Sequence, residues 1–305
     1  MTQATTEVSA DGRLLVVGAG TMGAQIAQQA ALHGIDVSLV DVSAEVLARA
    51  MASNRQWLDR RVEKGKLDRE AADVAAGRVS PTPDLAAAAA GSSWAIEAVV
   101  EIPSVKREIF TELDAHLPAG AGIATNSSNI VVSRLADATK RPELCCNMHF
   151  FHPVLVMDLC EVVRGPFTSD STIERAVAWS RRMGRTAIVV EKEIDGFIVN
   201  RILGAASREA FSLLQGGVAS AEDIDIAVRK GLNWPMGPFQ LSDFSGLDTV
   251  LTIRRDRMER DHNPGDVATV AVLERMVAAG RLGRKSGRGF YDYAVDPPAP
   301  LPLPD

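Results

Sequence analysis

The chain has 305 residues, 46% hydrophobic and 24% charged, the composition of a globular protein long enough for about two domains. A net charge of -6 argues against a nucleic-acid partner, no run approaches the ~18 apolar residues of a membrane span, and the start MTQATTEVSADGR shows no signal or transit peptide. Three cysteines, Cys145, Cys146 and Cys160, form no even framework and fit a reducing compartment, so a cytoplasmic protein is expected.

An apolar run over 13–18 ends in glycine and reads as a strand; a helix follows over 22–33, stopped by Gly34. Residues 35–40 form a second buried strand closed by Asp41, completing a βαβ unit. Helical pattern continues over 44–64 and stops at Gly65, and the alanine run over 86–90 is helix-prone. A strand is expected over 94–100. A helix over 104–116 follows, with Ser104 as its cap and Lys106, Arg107 and Glu108 on its wet face. Further strands fall at 122–125, 144–151, 159–163 and 186–190. From Gly196 onward only helices are expected, over 197–214, 221–230, 246–258 and 267–279. The boundary is placed at Ile194, giving domains 1–194 and 195–305. Five prolines within 294–305 suggest a disordered tail. The β/α alternation implies an α/β, Rossmann-type doubly wound, mostly parallel sheet followed by an all-α C-terminal domain.

Gly18-Ala19-Gly20-Thr21-Met22-Gly23 matches G-x-G-x-x-G in the context that gives it meaning, after a strand and opening a helix. Gly18 allows the tight turn, Gly20 lets a pyrophosphate approach the backbone, and Gly23 lets helix pack on strand. The helix N-terminus offers free N–H groups to phosphates. Asp41 ends the second strand, 41 − 20 = 21 residues past the middle glycine, where a carboxylate accepts ribose hydroxyls and repels a 2′-phosphate. NAD is therefore favoured over NADP; the bland alternative is a tight structural turn beside a solvated aspartate.

Of five histidines, His33 and His116 sit at expected helix ends and His262 in a polar loop. His149 differs: it lies in Asn147-Met148-His149-Phe150-Phe151-His152-Pro153 at the C-terminal end of a strand, where doubly wound folds bind ligands. Oxidising an alcohol needs a base for the hydroxyl proton as hydride leaves carbon, and histidine suits this at neutral pH. The base needs an acid partner. Glu161 is the candidate, since an unpaired carboxylate would be costly in the apolar strand Leu159-Cys160-Glu161-Val162-Val163. On spacing alone His149 reads equally well as a satisfied core histidine; the buried acid in the next strand favours the functional reading.

Seven segments, GAGTMGAQIAQ, IEAVVE, TNSSNI, HFFHPVLVMDLCEVV, DGFIVNRIL, WPMGPFQLSDFSGLD and GRKSGRGFYDY, occur in this order. Through them the chain resembles the L-3-hydroxyacyl-CoA dehydrogenase family, including bacterial 3-hydroxybutyryl-CoA dehydrogenases, over nearly its whole length. The resemblance implies NAD-dependent oxidation of a 3-hydroxyacyl-CoA, with His149 as base, Glu161 orienting it, and Ser128 and Asn200 against the substrate. It also implies Glu101, Lys106, Asn126 and Lys285 at the cofactor, Lys64 near a CoA phosphate, no metal, and a homodimer. His152 stands where the family carries Asn, a departure that bears on the acyl group accepted. Asn129 replaces the second Ser, and Asp195 the Pro before GFIVNR.

Each site has a plainer reading. Ser128 could cap a helix, Asn200 could be a surface amide, Glu101 and Lys106 an exposed pair, and Lys285 part of a solvated basic face with Arg281, Arg284 and Arg288. The turn over 234–238 reads as packing at a helix junction or dimer interface. Two other functions stay open: a dehydrogenase of a non-CoA hydroxy acid or carnitine-like substrate, and a non-catalytic NAD-binding structural protein. HFFHPVLVM favours the acyl-CoA branch over the first, and the His149–Glu161 pair speaks against the second.

Overall fold

Residues 14–17 are apolar without interruption, and successive side chains of a strand leave opposite faces, so β1 (Arg13–Val17) must be covered on both sides. Leu14 and Val16 join one buried cluster with Ile26, Leu39, Trp94 and Met148. Leu15 and Val17 join a second with Phe110, Leu113, Ile123 and Leu135. The structure is a computed structural model that describes residues 11–261 and 265–304; His262 lies outside the described residues.

The chain continues as α1 (Thr21–Leu32), β2 (Val37–Val40), α2 (Ala44–Glu63), α3 (Arg69–Gly77), β3 (Val79–Thr82), α4 (Leu85–Ala90), β4 (Ser92–Glu97), α5 (Pro103–His116), β5 (Gly122–Thr125), β6 (Cys145–Phe150), β7 (Leu159–Val163), α6 (Asp170–Arg182) and β8 (Thr186–Val190). The strands lie in the order β3-β2-β1-β4-β5-β6-β7-β8. Neighbours are parallel except β6 with β7, so β7 and β8 run against the rest. Strand order reverses between β1 and β4, the switch point at which doubly wound folds bind ligands. Two compact units divide after Ile198.

The second unit is helical: α7 (Val199–Gln215), α8 (Ala221–Gly231), α9 (Pro238–Ser245), α10 (Leu247–Asp261) and α11 (Gly265–Ala278). Its core stacks Phe211, Phe239 and Phe290 with ring centroids 4.7–5.8 Å apart. The turn before α9 is indeed a helix junction. Gly237 caps α9 with no side chain, and Asp225 supplies the missing acceptor, taking the Phe239 and Gln240 amides at 2.9 Å each. A Cβ on Gly237 would lie 2.3 Å from that carboxylate, which is why glycine stands there.

Three expectations need correction. Ser104 is not the cap of α5: the helix begins at Pro103 with Ile102 at the cap position and no side-chain cap bond, because proline needs no N–H partner at the first turn. The second unit is not purely helical, since β9 (Tyr291–Asp292) pairs antiparallel with β10 (Ala299–Pro300). The stretch 294–304 is therefore placed rather than disordered. The Leu301 amide donates to Phe290 O at 2.8 Å, Arg281 donates to Pro302 O at 2.6 Å, and Leu303 packs on the core. Proline is tolerated here because an edge strand need not donate from every residue.

Candidate active site

The three glycines of the first loop serve different ends. Gly18 has φ 101° and a Cβ there would sit 2.6 Å from Ala98 O; a Cβ on Gly23 would sit 1.8 Å from Gly18 O. Both are required by the chain's own packing. A Cβ on Gly20 would meet nothing within 4 Å, so the chain's own packing does not require glycine there and the space above the loop is open. Gly20 also caps α1 without a side-chain bond, and the first turn, with exposed Thr21 and half-buried Met22, holds no acidic residue. The amides there are left for an anion. Asp41 follows β2 directly. Its carboxylate accepts from the Ala19 amide at 2.9 Å and the Ser43 amide at 3.0 Å while staying half-exposed, with lone pairs to spare for a diol. The donor set fits the diphosphate and ribose of NAD.

Beside this loop lies a buried charge cluster. Glu97, the last residue of β4, is fully buried. It accepts from Lys106 Nζ, the Val99 amide and the Thr125 hydroxyl, each at 2.7 Å. Lys106 Nζ also lies 3.1 Å from Glu101, which stays partly exposed and accepts from the Ser127 hydroxyl. Lys106 is thus not on the wet face of α5. It shares the buried stripe with Phe110 and Leu113 at helical spacing, and only its two carboxylate partners make that burial tolerable.

His149 and Glu161 face each other as a directly paired rung of the antiparallel β6–β7 ladder. His149 Nδ1 is 2.8 Å from Glu161 Oε2, and Glu161 is fully buried. The other carboxylate oxygen accepts from the Ile198 amide at 3.1 Å. The imidazole is flanked by Phe151 at 4.5 Å and Phe197 at 5.6 Å between centroids.

The remaining candidates differ in how they are held. Ser128 is half-buried; its carbonyl accepts from the Gly196 amide at 3.0 Å, and its hydroxyl makes no hydrogen bond among the described residues. Ser127 instead closes the turn, accepting from the Asn129 and Ile130 amides. Asn126 ties strand ends together, its Oδ1 accepting from the Phe150 backbone amide at 3.0 Å and its own backbone N–H donating to Glu97 O at 2.8 Å. Asn200 is the second residue of α7 and half-buried. Lys285 is paired with Asp248 at 2.5 Å, and this hydrogen bond holds the Asp248 carboxyl below its usual range. Lys64, at the end of α2, and His152 are exposed, and no contact joins either to another candidate among the described residues.

Sequence reasoning missed Glu97, Ser127, Asn147 and Phe197. Asn147, fully buried in β6, accepts from the Val132 amide at 2.9 Å and donates to Ser127 O at 3.0 Å and Ile130 O at 3.2 Å, fixing the loop that carries Ser128. A polar residue inside an apolar strand was the available signal for both Glu97 and Asn147.

Residues 13–194 match the NAD binding domain of 3-hydroxyacyl-CoA dehydrogenase and residues 196–293 match its C-terminal domain. A 3-hydroxybutyryl-CoA dehydrogenase of Bradyrhizobium diazoefficiens is 41% identical over 285 residues, 93% of this chain and 96% of that protein. The crystal structure of (S)-3-hydroxybutyryl-CoA dehydrogenase from Ralstonia eutropha is similar with a TM-score of 0.85 at 38% identity, covering 93% of this chain and 99% of that one. A diketoreductase described as acting on dicarbonyl compounds is similar with a TM-score of 0.84 at 32% identity, covering 92% and 99%. The glycine cradle, the paired imidazole and carboxylate, and these matches over nearly the full length agree: the chain belongs to the 3-hydroxyacyl-CoA dehydrogenase family of NAD-dependent oxidoreductases.

Proposed function

We propose that the chain oxidises the 3-hydroxyl of a short 3-hydroxyacyl-CoA, 3-hydroxybutyryl-CoA being the first to test, to the 3-ketoacyl-CoA. The observation that carries this reading is the buried His149–Glu161 rung. NAD, when bound, supplies the hydride acceptor. Gly18, Gly20, Gly23 and the start of α1 would hold its diphosphate and Asp41 its ribose. Glu161 at Nδ1 fixes the tautomer that leaves Nε2 of His149 free to accept the substrate's hydroxyl proton, and the same carboxylate then balances the imidazolium. The unengaged Ser128 hydroxyl and the Asn200 amide would hold the reacting oxygen. Glu101, with Lys106 behind it, would border the cofactor, and Asn126 would shape the strand ends beside it. Lys285 would reach toward the cofactor and Lys64 toward a CoA phosphate.

His149→Ala should lower kcat on the order of 10²–10⁴-fold with 3-hydroxybutyryl-CoA while NADH binding, read by fluorescence, survives. A near wild-type rate would sink the assignment. A second reading, a non-CoA dicarbonyl or hydroxy substrate, is favoured by the likeness to the diketoreductase; a panel of free hydroxy acids beside acyl-CoA esters separates the two. Three buried free cysteines support a reducing, cytoplasmic setting. Exposed Ile202, Leu232, Phe244 and Ile253 on the second unit support a homodimer, for sedimentation to test. Among the described residues no helix is long and apolar enough to cross a membrane. Fatty acid metabolism is the setting such a substrate implies.

A further inference from the structure

The segment before α7 has an unusual backbone. Ile194 O accepts from the Phe197 amide at 3.0 Å, closing a turn in which Gly196 has φ 77°. The next residue, Phe197, also has a positive φ, 47°, although it is bulky and 1% exposed. Side chains of that size avoid this region, and where they occupy it the surroundings must hold them there. Three sets of contacts do so. The Gly196 amide is bound by Ser128 O at 3.0 Å, the Phe197 ring is packed with Val131, Val163 and Val190, and the Ile198 amide is bound by Glu161 at 3.1 Å.

Two of these contacts end on residues of the catalytic reading, Ser128 and Glu161, and the Phe197 ring itself faces a third. The Phe197 ring lies 5.6 Å from the imidazole of His149, tilted by 59°, and Phe151 lies 4.5 Å from it, tilted by 60°. The Ile198 amide takes the carboxylate oxygen of Glu161 that His149 does not use. We infer that residues 196–198 are the positioning element of the dyad. Phe197 restrains the imidazole plane and excludes water from the His149–Glu161 bond, and Ile198 fixes the rotation of the carboxylate. Phe197 acts through His149 and is a positioning residue, not a catalytic one. The inference rests on the His149–Glu161 reading given above.

The test uses the full-length enzyme with NAD and 3-hydroxybutyryl-CoA. Phe197→Leu should lower kcat on the order of 10- to 100-fold with an unchanged KM for NAD, because a small misplacement of the base is costly while the glycine cradle is untouched. The downfield proton resonance of the Nδ1–H to Glu161 bond should shift or broaden in the same variant. Phe197→Tyr, which keeps the ring, should stay near wild type in both. If the leucine variant does not fold, Phe197→Met, unbranched and more adaptable but also without a ring, carries the same expectation. A folded leucine or methionine variant with wild-type kcat overturns the inference, as does a fall in kcat with the resonance unaltered. His149→Ala in the same assay separates the two levels: turnover surviving there removes the dyad reading itself, whereas an inactive His149→Ala beside a normal Phe197→Leu removes only this inference.

Discussion

Glu97 and Glu161 share one signature, a carboxylate inside an apolar strand, yet they do different work. Glu161 holds an imidazole at the strand end, whereas Glu97 neutralises Lys106 on α5. The burial of Lys106 was misread although its spacing encodes it: it stands four residues before Phe110 and seven before Leu113, on the stripe a helix buries. Its charge conceals this, because a lysine is expected at the surface unless its partners are known in advance. Removing one member of such a buried pair strands the other. Glu97→Gln should therefore cost about 3–5 kcal/mol in urea denaturation, and Lys106→Met added to it should restore part of the loss. A loss near zero for Glu97→Gln would mean that Glu101 alone suffices for Lys106.

At the scale of elements, α8, α9 and the β9 strand are joined by two buried aspartates rather than by apolar contact alone. Asp225 binds the start of α9 and the Tyr291 hydroxyl. Asp243 binds the Phe290 and Tyr291 amides at 3.0 Å each and the Tyr293 hydroxyl at 3.1 Å. Burial raises both carboxyls, that of Asp243 to about 6 from an ordinary 3.8, with the hydrogen bonds pulling back only in part. A raised carboxyl means that the folded chain holds the proton more tightly than the unfolded one. The stabilisation is full below the ordinary value and is lost as pH rises through about 6. The wild-type advantage in Tm over Asp243→Asn should thus shrink between about pH 4 and about pH 7, and a flat difference would contradict the shift. Strands of mainly apolar character, such as β5, β7 and β8, were readable to the residue. β3 was not, because its sequence is Val-Ser-Pro-Thr and only an edge position lets an exposed serine and an exposed proline form a strand.

For the whole molecule, fold class and family membership were legible because the glycine loop, the strands and the late helical pattern agree, although α3, β3, α6 and α9 were not read. The C-terminal stretch was not, since proline content speaks equally for disorder and for a stiff edge strand. Deleting 294–305 should remove the β10 pairing and the Leu303 contact and lower stability by about 1–3 kcal/mol in calorimetry; an unchanged melting curve would show that the pairing holds nothing. The reversal of direction at β7 reaches furthest. Because His149 and Glu161 occupy opposite positions on one ladder, the β6–β7 pairing sets the spacing of their backbones, and only the orientation of the two side chains is left to Phe151 and residues 196–198. Beyond Phe151, which packs on the imidazole, the connection from 152 to 158 can be lengthened, shortened or exchanged while the rung stays in place. A slip of one residue in either strand would instead turn the carboxylate to the far side of the sheet and abolish it.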